Sequence, residues 1–244
     1  MEVHPHSHTE RKRFTHYLWE FLMLFLAVFC GFLAENIREH GVEKHQEKIY
    51  MNNMLDDLKS DTASYKNYAS NANLALSAID SLIYLLKSPE RKMNVNRIYF
   101  LARTFTMRND LLFANERAYA QMKSSGHLRL IHNQEVSDSV SYYYNSLKQI
   151  DNQNDRITER INEYFLSMAK LFDAAVLLKI TKDQKMPEGE SAKLLTEDPL
   201  MINEVLTRAQ YLYATFLYTQ KLGSDRCRKA ENLITLIKKE YHVE

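Results

Sequence analysis

From Tyr17 to Ala34 the chain reads YLWEFLMLFLAVFCGFLA, apolar on every helical face with Glu20 as the one interruption. A surface helix needs a polar side, so this run does not belong to one. Eighteen residues span about 27 Å as an α-helix, close to the thickness of a bilayer core. The run reads as a single transmembrane helix. Phe29 and Phe32 stand where cleavage sites need small residues, so an uncleaved anchor is expected rather than a removed signal peptide.

Beyond the run the pattern changes to helical periodicity. Apolar positions recur from Ile49 to Leu86, and Ser88-Pro89 ends that helix, because the residue before proline avoids the α region. Further helices are expected over Val95–Met107, Asp110–Lys123, Asn133–Lys179 and Asp198–Tyr241. Ser124-Ser125-Gly126 is a helix stop with glycine as the left-handed cap. Asn133 and Asp198-Pro199 are helix starts. Thr181–Glu197 is polar, contains Pro187 and Gly189, and reads as the one long loop. The expected fold is all-α: an N-terminal transmembrane helix followed by an antiparallel bundle of long helices. The divisions are a short basic, histidine-containing tail (1–16), the membrane helix (17–34), a helical stalk (35–60) and a bundle domain (61–244).

Composition narrows the function classes. Five glycines and four prolines leave no GxGxxG or Walker loop and too few turn formers for many short strands. Net charge is +1 and basic clusters with interleaved aromatics are absent, which argues against nucleic acid. Cys30 lies in the apolar run and Cys227 far from it, so no disulfide framework is expected.

The flanks of the run suggest its orientation. Arg11, Lys12 and Arg13 are packed just before it, with Tyr17 and Trp19 at its first turn, where an aromatic belt sits. The positive-inside tendency then puts the N-terminus in the cytoplasm and the C-terminal domain outside, in the periplasm of a bacterial inner membrane. Glu20 lies at headgroup depth within reach of His16 or Arg13, or else faces a helix partner or a proton path. Glu20, Leu24, Ala27, Gly31 and Ala34 share one helical face. Ala27 and Gly31 form a small-xxx-small pair that permits close helix approach, against the alternative of scattered small residues.

Constellations that carry chemistry fail one by one. His4, His6 and His8 alternate in the tail, a chelating pattern that reads more simply as a solvated tail. No histidine has Glu three positions before it, and HExxH is absent, which removes the di-iron and zincin readings. Asp151–Asp155 departs from a calcium loop at Arg156 and Asn162 and reads as a solvated turn of a long helix. Tyr142, Tyr143 and Tyr144 are consecutive and point around their helix; Tyr211, Tyr213, Phe216 and Tyr218 read as core and groove filling. No catalytic, cofactor or metal residues are assigned, and the chain reads as a non-enzyme.

The segments WEFLMLFLAVFCGFLAENIREH, EKIYMNNMLDDLKSD and AYAQMKSSGHLRLIHNQEVSDSVSYYYN resemble an uncharacterised family of bacterial single-pass membrane proteins common in Bacteroidota. That resemblance covers about the first 85 residues and the 118–145 region, including Glu20, Gly31, Ser125 and Gly126. It implies an anchor carrying a helical domain of unknown function. The expected role is a membrane-anchored scaffold or accessory subunit that binds itself or a membrane-protein partner. Two alternatives stand beside it: an extracytoplasmic sensor bundle, for which the 16-residue tail leaves no room for an output domain, and a proton-coupled motor or transport accessory using Glu20.

Overall fold

The longest helix, α1, runs without interruption from Phe14 to Lys87. The structure is a computed structural model that describes residues 14–107, 111–187 and 192–242. Among them the chain forms α1, α2 (Val95–Met107), α3 (Arg117–Ser124), α4 (Gln134–Ser146), α5 (Lys148–Leu171), α6 (Ala174–Asp183) and α7 (Pro199–Tyr241). Short 3₁₀ turns occupy Pro89–Asn94 and His127–Leu130, and no strand occurs among the described residues. The all-α expectation holds.

The chain divides into two compact units, Met1–Ile49 and Tyr50–Glu244. In the first unit α1 is the only described element, and its side chains from Phe14 to Val42 are exposed. It is the one described helix long and apolar enough to cross a membrane, by length and composition. A stalk over 35–60 was expected. The second unit instead begins at Tyr50, and Met51, Met54, Leu55 and Leu58 are fully buried in its core. Apolar residues are sparse before residue 50, and four closely spaced ones open the core of the second unit.

Inside the second unit, α1 buries Met51, Met54, Leu58, Asp61, Tyr65, Tyr68, Ala72, Ala75, Ile79, Leu82 and Leu86. These positions alternate in steps of three and four, the heptad seam that lets long helices pack side by side. The opposite stripe, with Asn53, Ser60, Asn67, Ser70 and Ser77, is exposed. The same rhythm runs along α7 through Ile202, Val205, Ala209, Leu212, Phe216, Thr219, Gly223, Arg226, Ala230, Leu233 and Ile237. On α5 it passes through Ile150, Asn154, Ile157, Tyr164, Met168 and Leu171, with half-buried Ile161 completing it. One seam per helix is what a bundle of long helices requires.

Two apolar clusters form along these seams. One gathers residues 50–72 of α1 with α3, α4, Ile150 and residues 222–237 of α7. The other gathers residues 75–86 of α1 with α2, α6, residues 157–171 of α5 and residues 202–216 of α7. Both α1 and α5 therefore run from the first cluster to the second, and α7 runs back antiparallel to them. Where the clusters meet, polar side chains in and beside the seams bond between the helices. Gln153 Nε2 donates to Thr219 Oγ1 at 2.9 Å. Gln220 Nε2 donates to Asn73 Oδ1 at 2.7 Å and to the Ala69 carbonyl at 3.1 Å.

At this polar waist the chain crosses between clusters without helical structure. A helix was expected from Asp110 to Lys123, but residues 111–116 are irregular and α3 starts only at Arg117. Leu112 is fully buried, opposite Gly223, where an added Cβ would lie 3.5 Å from both Leu112 methyls. Its backbone has lost helical partners and must find others. Asn154 supplies both: Oδ1 accepts from Leu112 N at 3.1 Å and Nδ2 donates to the Leu112 carbonyl at 2.8 Å. A polar residue stands in the α5 seam because an irregular segment passes beside it. The reading of 151–155 as a solvated turn is corrected accordingly: Gln153 and Asn154 are buried.

Other boundaries also moved. The single helix expected over 133–179 is three. The join at Leu147 keeps αR geometry and tightens by 3₁₀-type bonds. The break at Phe172 is real: its backbone is extended, and Asp173 caps α6 by accepting from Ala175 N and Val176 N. Asn133, Asp198 and Gly126 perform as expected; the first two accept from Val136 N and Leu200 N, and Gly126 takes φ 71°. Helix α2 holds Pro187, Ala192 and Lys193, which follow α6. Asn96 bonds the Pro187 carbonyl and Ala192 N, and Tyr99 donates to the Lys193 carbonyl.

Asn154→Leu keeps the size of the side chain and strips Leu112 of both backbone partners, so it should cost about 3 kcal/mol. Exposed Asn152→Leu should change stability by no more than about 0.5 kcal/mol. Denaturant unfolding of the detergent-solubilised chain measures both; equal effects would refute the crossing role of Asn154.

Candidate functional site

Two places concentrate unusual residues, one in each unit. In the first unit, Glu20, Leu24, Ala27, Gly31 and Ala34 lie along α1 and are exposed. Glu20 Oε1 pairs with His16 Nε2 at 3.0 Å, one turn earlier, and both side chains are 51 % exposed. An added Cβ at Gly31 would meet nothing within 4 Å. Tyr17 and Trp19 sit exposed at the first turns. Arg11, Lys12 and Arg13, like His4, His6 and His8, lie outside the described residues. A second stripe went unread in the sequence: Phe21, Phe25 and Phe29 stack at one-turn spacing, with centroids 6.3 and 5.9 Å apart.

In the second unit the notable site is a pair of acids one turn apart on α1. Asp57 and Asp61 are 2 % and 0 % exposed, in a position class that ionisable groups occupy only with partners. Asp57 Oδ1 accepts from Arg117 Nε and Nη2 at 3.1 and 2.6 Å, and its Oδ2 accepts from Ala118 N at 2.9 Å. Asp61 Oδ1 accepts from Asn115 N at 2.7 Å and Asn115 Nδ2 at 3.0 Å. Its Oδ2 accepts from the Tyr143 hydroxyl at 2.7 Å, and Tyr143 lies 3.1 Å from the Tyr65 hydroxyl.

The clasp has a structural logic. Helix α3 follows a non-helical segment and its N-cap residue, Glu116, makes no side-chain capping bond. The first amides of a helix have no partners within it and carry partial positive charge. Asp57 caps α3 from a different helix, and Asp61 holds Asn115, the residue before the N-cap. The carboxylates thus fasten the crossing segment to α1.

Electrostatics follow from burial. Desolvation pushes the Asp61 carboxyl above its usual value; hydrogen bonds from Tyr143 and Asn115 oppose this, and the nearby Asp57 charge adds to it. Burial likewise raises the phenols of Tyr65, Tyr143 and Tyr144. Tyr143 and Tyr144 are buried while Tyr142 is exposed, with Lys229 Nζ 4.7 Å from its ring centroid. Tyr144 stacks on Tyr119 at 4.3 Å. On α7, Arg226 is 3 % exposed, bonded to Asp225 and Gln149.

The remaining sequence candidates take structural places. Ser124 and Ser125 hydroxyls donate back to the Gln121 carbonyl. Phe216 is buried in the core, while Tyr211 and Tyr218 are exposed, with Arg160 over the Tyr211 ring. Among the described residues no group of three or more His, Cys, Asp or Glu is placed to hold a metal ion. The Asp57–Asp61 pair was missed in the sequence, although its signal is there: an acid at a core position of an otherwise apolar heptad seam.

Asp57→Ala removes the cap of α3 and the partner of Arg117, and should cost about 2 kcal/mol. Asp56→Ala, on the exposed side of the same turn, should cost under about 0.5 kcal/mol; thermal unfolding of the two variants checks the contrast. No family model, curated protein or solved structure matches this chain.

Proposed function

We propose that the chain is a membrane-anchored helical scaffold or accessory subunit. The observation that carries this reading is the exposed apolar run of Tyr17–Ala34, within a helix whose later residues join a bundle with complete heptad seams. A run of eighteen residues, apolar but for Glu20, is costly to leave uncovered in water and favourable in lipid. Asp57, Asp61, Gln153 and Asn154 are bonded to other side chains or to backbone, which suits a scaffold better than a catalyst.

In this reading the N-terminus lies in the cytoplasm of a bacterium, Arg11, Lys12 and Arg13 hold the inner edge, and the bundle faces the periplasm. The partner is a second copy or another membrane protein, met along Glu20, Leu24, Ala27, Gly31 and Ala34. The family resemblance to single-pass Bacteroidota proteins belongs to the same proposal. The Glu20–His16 pair supports an interfacial role for Glu20 over a proton path.

The full chain should pellet with membranes, resist alkaline extraction and dissolve in detergent, and a chain lacking 14–34 should be soluble. Extraction of the full chain by alkali would overturn the anchor. Gly31→Leu should reduce intramembrane cross-linking at least several-fold, whereas unchanged cross-linking would remove that face as the association surface.

A further inference from the structure

We propose that Asp61 is a proton-binding site through which the second unit responds to acidification of its surroundings. Asp61 is fully buried, and its bonded partners are all neutral: one backbone amide, one carboxamide and one phenol. An ionised carboxylate in such a place lacks a compensating cation, which is the arrangement that favours taking up a proton.

The surrounding charges have other partners. On α1, Asp57 is neutralised by Arg117 from the start of α3 and still acts on Asp61 as a like charge. Glu116, beside Arg117, adds negative potential near Tyr144. On α4, Tyr143 and Tyr144 carry phenols that burial keeps protonated. From α7, Arg226 faces Tyr65, but its guanidinium is bonded to Asp225 and Gln149. Cys227 next to it is a thiol that burial keeps neutral.

Protonation redirects the hydrogen bonds without moving a heavy atom. With Asp61 ionised, Tyr143 donates to Oδ2. With a proton from solvent on Oδ2, Asp61 donates to the Tyr143 oxygen, which frees the Tyr143 proton for Tyr65, 3.1 Å away. Oδ1 continues to accept from Asn115. The sign follows from the raised carboxyl. In the unfolded chain the group ionises first as pH rises; the folded state holds its proton longer. Stability therefore declines as pH rises from the ordinary carboxylate range to the folded value, and acidification restores it.

The test is difference infrared spectroscopy of the full-length, detergent-solubilised chain, following the protonated-carboxyl C=O stretch as pH falls. The wild type should show a carboxyl signal with a midpoint above the ordinary value of about 3.9, absent in Asp61→Asn. Tyr143→Phe removes a donor to the ionised form, so its midpoint should rise by about one pH unit; this variant keeps the test open if Asp61→Asn does not fold. A wild-type midpoint at or below about 3.9, or one that Tyr143→Phe leaves in place, would overturn the assignment. Neither result depends on whether the chain resides in a membrane.

Discussion

A peptide backbone that leaves the helix inside a packed core must have its N–H and C=O groups met by something else. Residues 111–116 impose that constraint here, and much of the second unit's polar interior answers it. Asn154 serves Leu112, Asp61 serves Asn115 and Asp57 serves Ala118. Three long helices with heptad seams would pack well with apolar residues throughout. The seams carry acids and amides where they meet the crossing segment. Because both cores rely on α1, α5 and α7, one crossing decides how the short helices are shared between them.

That arrangement trades stability for definition. A carboxylate buried among neutral donors costs free energy that a leucine would not, and such residues are retained in some systems because they exclude alternative packings. In this chain Asp57 and Asp61 fix where α3 begins and which face of α1 it meets. The same two residues make the region electrostatically responsive, since one of them lacks a cation. Structure and responsiveness then share one cause: a segment that needed anchoring and was anchored by charge.

Much of the architecture was legible because helices announce themselves locally. The apolar run, the stop at Ser88-Pro89, the left-handed Gly126 and the caps at Asn133 and Asp198 each depend on a few neighbouring residues. The failures were non-local. Nothing near Leu111 to Glu116 forbids a helix; the segment is irregular because its partners sit on α1 and α5, more than forty positions away. Burial of Met51, Met54, Leu55 and Leu58 depends on later helices, which local spacing does not announce. Asp173 is a good N-cap hidden inside an otherwise periodic stretch. The clasp could have been found by treating the acid in DLKSD as a core residue, which its heptad position makes it. The shared face of Glu20, Leu24, Ala27, Gly31 and Ala34 follows from helical spacing alone.

The fold of the second unit rests on the buried crossing and the side chains that hold it. Native-state hydrogen exchange, resolved by residue on the full-length chain, addresses this most directly. The amides of Leu112, Asn115 and Ala118 should exchange as slowly as the core amides of α5 and α7, because only global unfolding releases them. Rapid exchange at these three, at the rate of an exposed connector, would contradict the account.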